Sequence, residues 1–442
     1  MDRAREVAAK ILLAVHEENA YANVVLAREI RKLRLEDRDR RFVTEIVYGT
    51  TKAGMTLDWI LQRYINRPLK KISPMVREIL RTGMYQIFYM EKVPPSAACN
   101  EAVELAKKYS HIGTVKFVNA VLRTAARQPE KAAFPIGKKA EYLALSAFHP
   151  VWLVKKWIAQ FGYEETTELC AFNNGQPNLS LRANTLKCSQ KELLDKLCTE
   201  GAEGTASEWT PEGVLCQAHG SLDMMEALQQ GFCQVQDESS MLVAHVVDPQ
   251  PGEFIIDACS APGGKATHMA ALMKNQGRIL AGDIYPHKLA RIEENARRLS
   301  IEIIETVLLD ARKIGENFTE QADRVLADVP CSGLGVLRRK PDARWKKQPS
   351  ELEELPLLQF EILESASKAV KKGGILVYST CTIVPEENQQ VVEKFLKKHK
   401  EFLLENTGEF LPLKHREEKM VQLYPHKDGT DGFFIVRMKR MV

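Results

Sequence analysis

Two short segments place a cysteine in polar, turn-rich surroundings directly after an apolar run: Ala327-Asp328-Val329-Pro330-Cys331-Ser332-Gly333 and Tyr378-Ser379-Thr380-Cys381-Thr382. A free cysteine is most often a small core residue, and Cys99, Cys170, Cys188, Cys198, Cys216 and Cys233 are read that way. Cys331 and Cys381 differ, because neither lies on an apolar face that needs filling. Two thiols facing one pocket point to nucleophilic catalysis. C5 of a pyrimidine is too weak a nucleophile to take a methyl group, but a thiolate added at C6 makes C5 carbanion-like. Loss of the C5 proton and expulsion of the thiol then restore the ring. Asp328 is placed to hydrogen-bond a cytosine edge and help stabilise its protonated or adduct form.

A methyl transfer needs a donor site. Phe254-Ile255-Ile256 reads as a buried strand that turns through Asp257-Ala258-Cys259-Ser260-Ala261-Pro262-Gly263-Gly264-Lys265 into a helix reaching Met273. A phosphate-binding loop fails twice here, since Cys259 stands at the first Gly position and Ala266 follows the Lys. A dinucleotide fingerprint fails too, because only Gly263 and Gly264 are present. S-adenosylmethionine has no pyrophosphate and accepts a shorter Gly turn. It needs carboxylates, and Asp283, ending the second strand, suits its ribose hydroxyls, while Asp310, ending the third before Ala311-Arg312, can accept from the adenine amino group. A single such Asp is more often a helix N-cap, but three at successive strand ends favour a ligand.

These residues need a sheet to gather them. Phe254–Ile256, Arg278–Ala281, Glu305–Leu309, Asp323–Ala327 and Gly374–Tyr378 read as strands with helical segments between them. That is a doubly wound, mostly parallel α/β sheet of Rossmann-like type, whose ligands bind beyond the carboxyl ends of its strands. Upstream, Arg3 to Ala126 reads as helical, with apolar repeats such as Val7, Ile11, Leu12, Val15 and Ile79, Met84, Ile87, Phe88, broken at Asn66-Arg67-Pro68 and Val93-Pro94-Pro95. Lys131 to Lys139 reads as a linker and Trp152 to Phe161 as a helical bridge. Past Pro177, Leu179–Thr185 alternates like a strand, and Ser189 with Glu192 signals a capped helix, giving a small α+β domain of RNA-recognition type. The expected organisation is an all-α domain over 1–130, linker and bridge over 131–172, a small α+β domain over 173–236 and the α/β domain over 237–442.

Composition bounds the rest. At 442 residues the chain should hold about three domains. A net charge of +4 is too mild to mark a nucleic-acid binder, so clustering decides. Arg182, Asn184 and Lys187 would line a strand edge toward RNA, or serve as a charged edge that resists aggregation. Arg338, Arg339, Lys340, Arg344, Lys346 and Lys347, interleaved with Trp345, follow the Pro-Cys loop and offer backbone contact and base stacking. An enzyme acting on a base atom takes single-stranded or flipped-out substrate, which favours an RNA loop. Nine cysteines with no Cys-x-x-Cys pair argue against a disulfide framework and a zinc ribbon, so no metal is expected. No signal-peptide core or spanning apolar run is present, so the expected location is cytoplasmic, with no membrane partner and no stable protein partner readable.

Three motif segments, Asp257 to Lys265, Asp328 to Gly333 and Ser379 to Thr382, together with His426 to Phe434, resemble the RNA cytosine-C5 methyltransferases in order and spacing. The N-terminal part resembles the NusB family of RNA-binding factors, through Asp39-Arg40-Arg41-Phe42 and Tyr48-Gly49. Together they resemble one family, the bacterial 16S ribosomal RNA methyltransferase B family, also called Sun or Fmu. The chemistry alone leaves the roles of the two cysteines open, since DNA cytosine methyltransferases attack with the Pro-Cys position. The resemblance implies Cys381 as nucleophile and Cys331 as the residue assisting release. It also implies S-adenosylmethionine held by Cys259, Ser260, Ala261, Pro262, Gly263, Gly264, Lys265, Asp283, Asp310 and Asp328. The implied target is cytosine 967 of 16S RNA, free or early in assembly. Alternatives are another ribosomal or transfer RNA site, a non-catalytic RNA-binding assembly factor, and a nicotinamide dehydrogenase, which the missing third glycine disfavours.

Overall fold

The structure, a computed structural model, describes residues 2–18, 20–33, 35–216, 225–411 and 417–442. The chain forms two compact units, Met1–Gly175 with Leu337–Lys347, and Gln176–Val336 with Gln348–Val442.

The first unit is helical. Helices Arg3–Glu17, Ala22–Leu33, Asp37–Leu61, Pro74–Tyr89, Pro95–Tyr109 and Ile112–Arg127 follow the apolar periodicity. Asp2 caps the first, accepting from the Ala4 amide at 2.8 Å. Pro74 and Pro95 sit in first turns, where a missing N–H costs nothing. Val7, Ile11, Leu12 and Val15 pack with Ile46 and Val47, while Leu57, Ile79 and Met84 pack with Val118 and Leu122. The bridge region supplies helices Lys139–Ser146, Val151–Phe161 and Tyr163–Asn174, which belong to this unit. Leu337–Lys347 joins it as a strap. Trp345 Nε1 donates to the carbonyls of Thr51 and Lys52 at 3.0 and 3.1 Å. Those carbonyls are free because the helix kinks at Gly54, whose φ is +29°. A Cβ at Gly54 would lie 2.4 Å from that indole nitrogen, so only glycine admits the ring.

Among the described residues, the second unit holds two sheets. Strands β1 (Leu179–Ala183), β2 (Gly204–Ala206), β3 (Gly213–Cys216) and β4 (Cys233–Val235) form an antiparallel sheet in the order β2-β3-β1-β4. The expected capping box forms, with the Ser189 side chain on the Glu192 amide and the Glu192 side chain on the Ser189 amide. The larger sheet comprises β5 (Phe254–Asp257), β6 (Arg278–Asp283), β7 (Ile304–Leu308), β8 (Ala322–Asp328), β9 (Val370–Thr380), β10 (Phe402–Leu404), β11 (Met420–Leu423) and β12 (Phe433–Arg440). Its order is β10-β12-β9-β8-β5-β6-β7, with β11 paired to β12. The run β9-β8-β5-β6-β7 is parallel, and β12 closes it antiparallel to β9. Apolar clusters cover both faces, which is why the parallel strands read as continuous hydrophobic runs.

Candidate active site

β5 ends at Asp257, and the turn after it reaches Gly263 with φ +94°, the N-cap of helix Gly264–Leu272. A Cβ at Gly263 would come tight against the backbone of Ile292 at 3.2 Å, and the positive φ itself favours glycine. The Asp257 carboxylate is buried, and neither oxygen meets hydrogen-bond geometry with a donor. Burial and then Asp328 push its pKa up to about 7, against weaker relief from the nearby Ser260 hydroxyl and Cys259 amide. The Cys259 thiol is also pushed up, by burial and then by Asp257, so it is held protonated beside these carboxylates. Asp283 ends β6, largely buried, and accepts from the Tyr285 amide at 3.0 Å and from Lys288 Nζ at 3.4 Å. Asp310 caps the short helix Ala311–Lys313 and pairs with Arg312, which lowers its pKa. Its N-cap role and its position at the end of β7 therefore coexist.

Parallel pairing of β8 with β9 sets Asp328 opposite Ser379. Asp328 accepts from Ser379 Oγ at 2.8 Å through one oxygen and from Lys265 Nζ at 2.7 Å through the other. Burial works against the Lys265 charge, but Asp328, then Cys381 and Asp257, outweigh it and raise its pKa. Lys265 also lies 5.3 Å from the ring centroid of Phe433 on β12, a cation–π contact. Just past the same two strands the sulfurs of Cys331 and Cys381 are 3.3 Å apart. The hydrogen bond with Cys381, reinforced by burial, raises the Cys331 pKa well above that of a free thiol. The geometry thus gathers Asp257, Lys265, Asp328, Cys331 and Cys381 at the carboxyl ends of adjacent strands. Two sulfurs in contact beside a charged hydrogen-bonding pair are parts from which an addition–elimination site can be built.

Sequence reasoning missed the frame around the thiols. Glu387, fully buried, accepts from the Ser332 amide at 2.8 Å and from Gln359 Nε2 at 2.9 Å. Asn388, equally buried, accepts from Thr380 Oγ1 at 2.6 Å and donates to the Thr382 carbonyl at 3.0 Å. The signal was present as polar residues between Pro385 and helix Gln389–Lys398, but a polar stretch ahead of a helix reads as a solvated loop.

Among the described residues, Glu212, His245 and His268 offer three metal-ligating atoms within 4.8 Å of one another. Both imidazoles place Nε2 at 2.9 Å from one Glu212 oxygen. Burial and then the neighbouring Arg182 hold the His268 pKa down to about 4, against the pull of Glu212. Glu212, just before β3, thus bonds His245 on helix Glu238–Val247 and lies beside His268 on helix Gly264–Leu272.

Comparison with known proteins gives this constellation a family. Residues 2–127 match the NusB family, 149–223 the ferredoxin-like domain of RsmF/B-like methyltransferases, and 244–439 the 16S rRNA methyltransferase RsmB/F family. The chain is 41% identical, over 99% of its length and 98% of the relative's, to the probable ribosomal RNA small subunit methyltransferase B of Bacillus subtilis (strain 168). The chain belongs to the ribosomal RNA small subunit methyltransferase B family. The Synechocystis relative, also named probable ribosomal RNA small subunit methyltransferase B, is 37% identical over 100% of both chains. Among solved structures, PH0851 superposes with a TM-score of 0.86 at 28% identity, covering 100% of this chain and 99% of the other. NSun6 from Pyrococcus horikoshii with SFG gives 0.59 at 25% identity, covering 65% and 97%.

For a ribosomal RNA methyltransferase, the residues expected to face RNA need a surface position, and several lack one. Arg182 is 1% exposed: β1 is a central strand rather than an edge, and the side chain is covered by helix Gly264–Leu272. Its guanidinium donates to the Gly264 carbonyl at 2.6 Å, to Thr267 Oγ1 at 3.1 Å and to Gln236, and burial lowers its pKa to about 9. Asn184 is buried too, donating to the carbonyls of Gly231 and Leu299 at 2.9 Å each. Lys187 stays exposed, with Nζ 2.9 Å from the Gln230 carbonyl. Arg344 is fully buried and bonds Asn174 Oδ1 at 2.8 Å and the carbonyls of Phe148 and Asn173 at 2.9 and 3.1 Å. Trp345 is spent on the kinked helix rather than on a base. Arg182, Asn184, Arg344 and Trp345 are therefore structural residues here, a correction to the RNA-facing expectation. Their polar groups are engaged by backbone carbonyls and buried side chains of the protein itself. Arg338, 4.3 Å over the Phe172 ring, and Arg339 are both partly exposed.

Proposed function

We propose that the protein transfers a methyl group to C5 of a cytosine in small-subunit ribosomal RNA, at position 967 as in the family it resembles. The observation that carries this reading is the pair of sulfurs 3.3 Å apart beside Asp328 and Lys265. S-adenosylmethionine, when bound, supplies a methyl group activated by its sulfonium. The residues fit such a donor, because the buried Asp257 carboxylate, with neither oxygen in full hydrogen-bond geometry, lies beside a glycine turn. Cys259 through Lys265, Asp283, Asp310 and Asp328 are the residues we assign to holding it.

Cys381, as thiolate, adds to C6 of the target cytosine and turns C5 into a nucleophile. Asp328, held by Lys265 and Ser379, is positioned to bond the base edge and stabilise the adduct. After methylation water takes the C5 proton, the C–H electron pair reforms the C5–C6 double bond, and the C6–S bond breaks so that the Cys381 sulfur departs as thiolate. Cys331, which keeps its proton, assists that release. The helical domain over 1–130, the small domain over 173–236, and Lys187, Arg338 and Arg339 are proposed to select the RNA, met free or early in assembly in the cytoplasm.

Bisulfite mapping of 16S RNA from cells lacking the protein tests the substrate, and the expected result is the loss of one methylcytosine, restored by the wild-type chain but not by Cys381→Ala. Retention of every methylcytosine would refute the assignment. In vitro, Cys331→Ala is expected to trap a covalent protein–RNA band on denaturing gels. A band from Cys381→Ala instead would exchange the two roles.

A further inference from the structure

We infer that Glu387 is a positioning residue that holds Cys331 within reach of Cys381 and thereby sets the rate of product release. The inference rests on the cysteine roles proposed above.

Adjacent strands start the two cysteine loops about 4.8 Å apart, which does not keep the loops together once they leave the sheet. The last bond of the ladder, from the Val329 amide to the Ser379 carbonyl, lies before both cysteines, and the Gly335 amide meets the Cys381 carbonyl only after Cys331 has passed. Between those two bonds the Pro-Cys loop is tied back chiefly through Glu387. One carboxylate oxygen takes the Ser332 amide, next to Cys331, at 2.8 Å and Gln359 Nε2 at 2.9 Å. The same Gln359 nitrogen donates to the Pro330 carbonyl at 3.0 Å, so both flanks of Cys331 converge on one carboxylate. The other oxygen faces Thr382 Oγ1 at 3.5 Å, and Thr382 Oγ1 meets Ser332 Oγ at 2.8 Å. Glu387 is itself fixed by the Tyr378 hydroxyl, which donates to its carbonyl at 2.6 Å.

The neighbouring residue does the matching work for the other loop. Asn388 bonds Thr380, the Thr382 carbonyl and Gln422, and so brackets Cys381 with three short bonds where Glu387 contributes one long contact to Thr382. One consecutive pair therefore controls both thiols, and the two controls are separable. A fully buried carboxylate is costly unless its hydrogen bonds are well made, and here they are made to the loop that carries Cys331. Removing the Glu387 side chain should loosen Cys331 while leaving Cys381 in place. Attack would persist and release would slow.

The test uses the full chain, unmodified small-subunit RNA and S-adenosylmethionine. Glu387→Ala is expected to lower kcat about a hundredfold, the scale of a 1 Å misplacement, with KM for RNA and methyl donor unchanged. It is also expected to accumulate the covalent adduct on denaturing gels. Glu387→Gln keeps an acceptor for Ser332 and Gln359 and an amine toward Thr382, so it should restore release. Gln359→Met, a change on helix Glu351–Ala369 outside both loops, should reproduce the accumulation in part and carries the test if Glu387→Ala does not fold. Cys331→Ala and Cys381→Ala serve as controls. If Cys331→Ala accumulates adduct while neither Glu387→Ala nor Gln359→Met does, the positioning role is overturned. If Cys331→Ala itself gives no adduct, the assignment of the cysteine roles fails instead.

Discussion

Asp257 offers the sharpest test of the electrostatics, because its carboxylate is buried at the end of β5 with only weak relief from the nearby Ser260 hydroxyl and Cys259 amide. Burial and Asp328 raise its pKa from 3.8 to about 7. In the folded chain it is neutral below about 7, whereas in the unfolded chain it ionises above 3.8. Between those values the folded state binds the extra proton, so stability falls as pH rises, and the loss is complete above about 7. At about 1.4 kcal/mol per pH unit the whole interval amounts to about 4 kcal/mol as a ceiling. Asp257→Asn keeps the shape and removes the titration. Denaturant unfolding of the unliganded second unit's transition, followed for both proteins between pH 5 and 8.5, reads the difference directly. Relative to wild type the Asn variant should gain about 2–3 kcal/mol across that range, since only the part of the interval above pH 5 is read. A difference that stays flat with pH would show that Asp257 ionises normally, and would remove the basis for an unmet carboxylate in the donor site.

Two further outcomes test the structural roles assigned to residues expected to face RNA. Arg182→Met should cost about 3 kcal/mol in unfolding experiments, by breaking a buried hydrogen-bonded charge, while leaving the salt dependence of RNA binding unchanged. A smaller salt slope with full stability would return Arg182 to the RNA surface. Gly54→Ala should destabilise the helical unit by more than about 1 kcal/mol, since the residue sits at positive φ. In thermal melts the cost should be smaller in a Trp345→Ala background, where the indole no longer fills the Cβ position. Equal costs in both backgrounds would refute the wedge.

Much of the chemistry was legible from local sequence. A parallel strand buried on both faces is a run of apolar residues, and the chain must turn where that run stops. Asp257, Asp283, Asp310, Asp328, Cys331 and Cys381 could therefore be placed at strand ends from the residue pattern alone. Helix caps such as Ser189 with Glu192 were equally readable, because the interacting groups are three residues apart. The RNA-facing residues were misread for a definite reason. Charge in sequence says nothing about strand order, and β1 carries Arg182 in the middle of its sheet rather than at an edge.

By itself, the sequence determined which elements form and which side chains stand where strands end, since both depend on short-range periodicity and turn chemistry. Only the tertiary structure decided distances across the chain. It brought two sulfurs from separate strands to 3.3 Å, joined Lys265 to Asp328, and set Glu387 beneath the Pro-Cys loop. It also drew Arg344 and Trp345 into the helical unit. Such pairings depend on strand order and on which buried carbonyls lack a donor, and neither is encoded within a window of neighbouring residues.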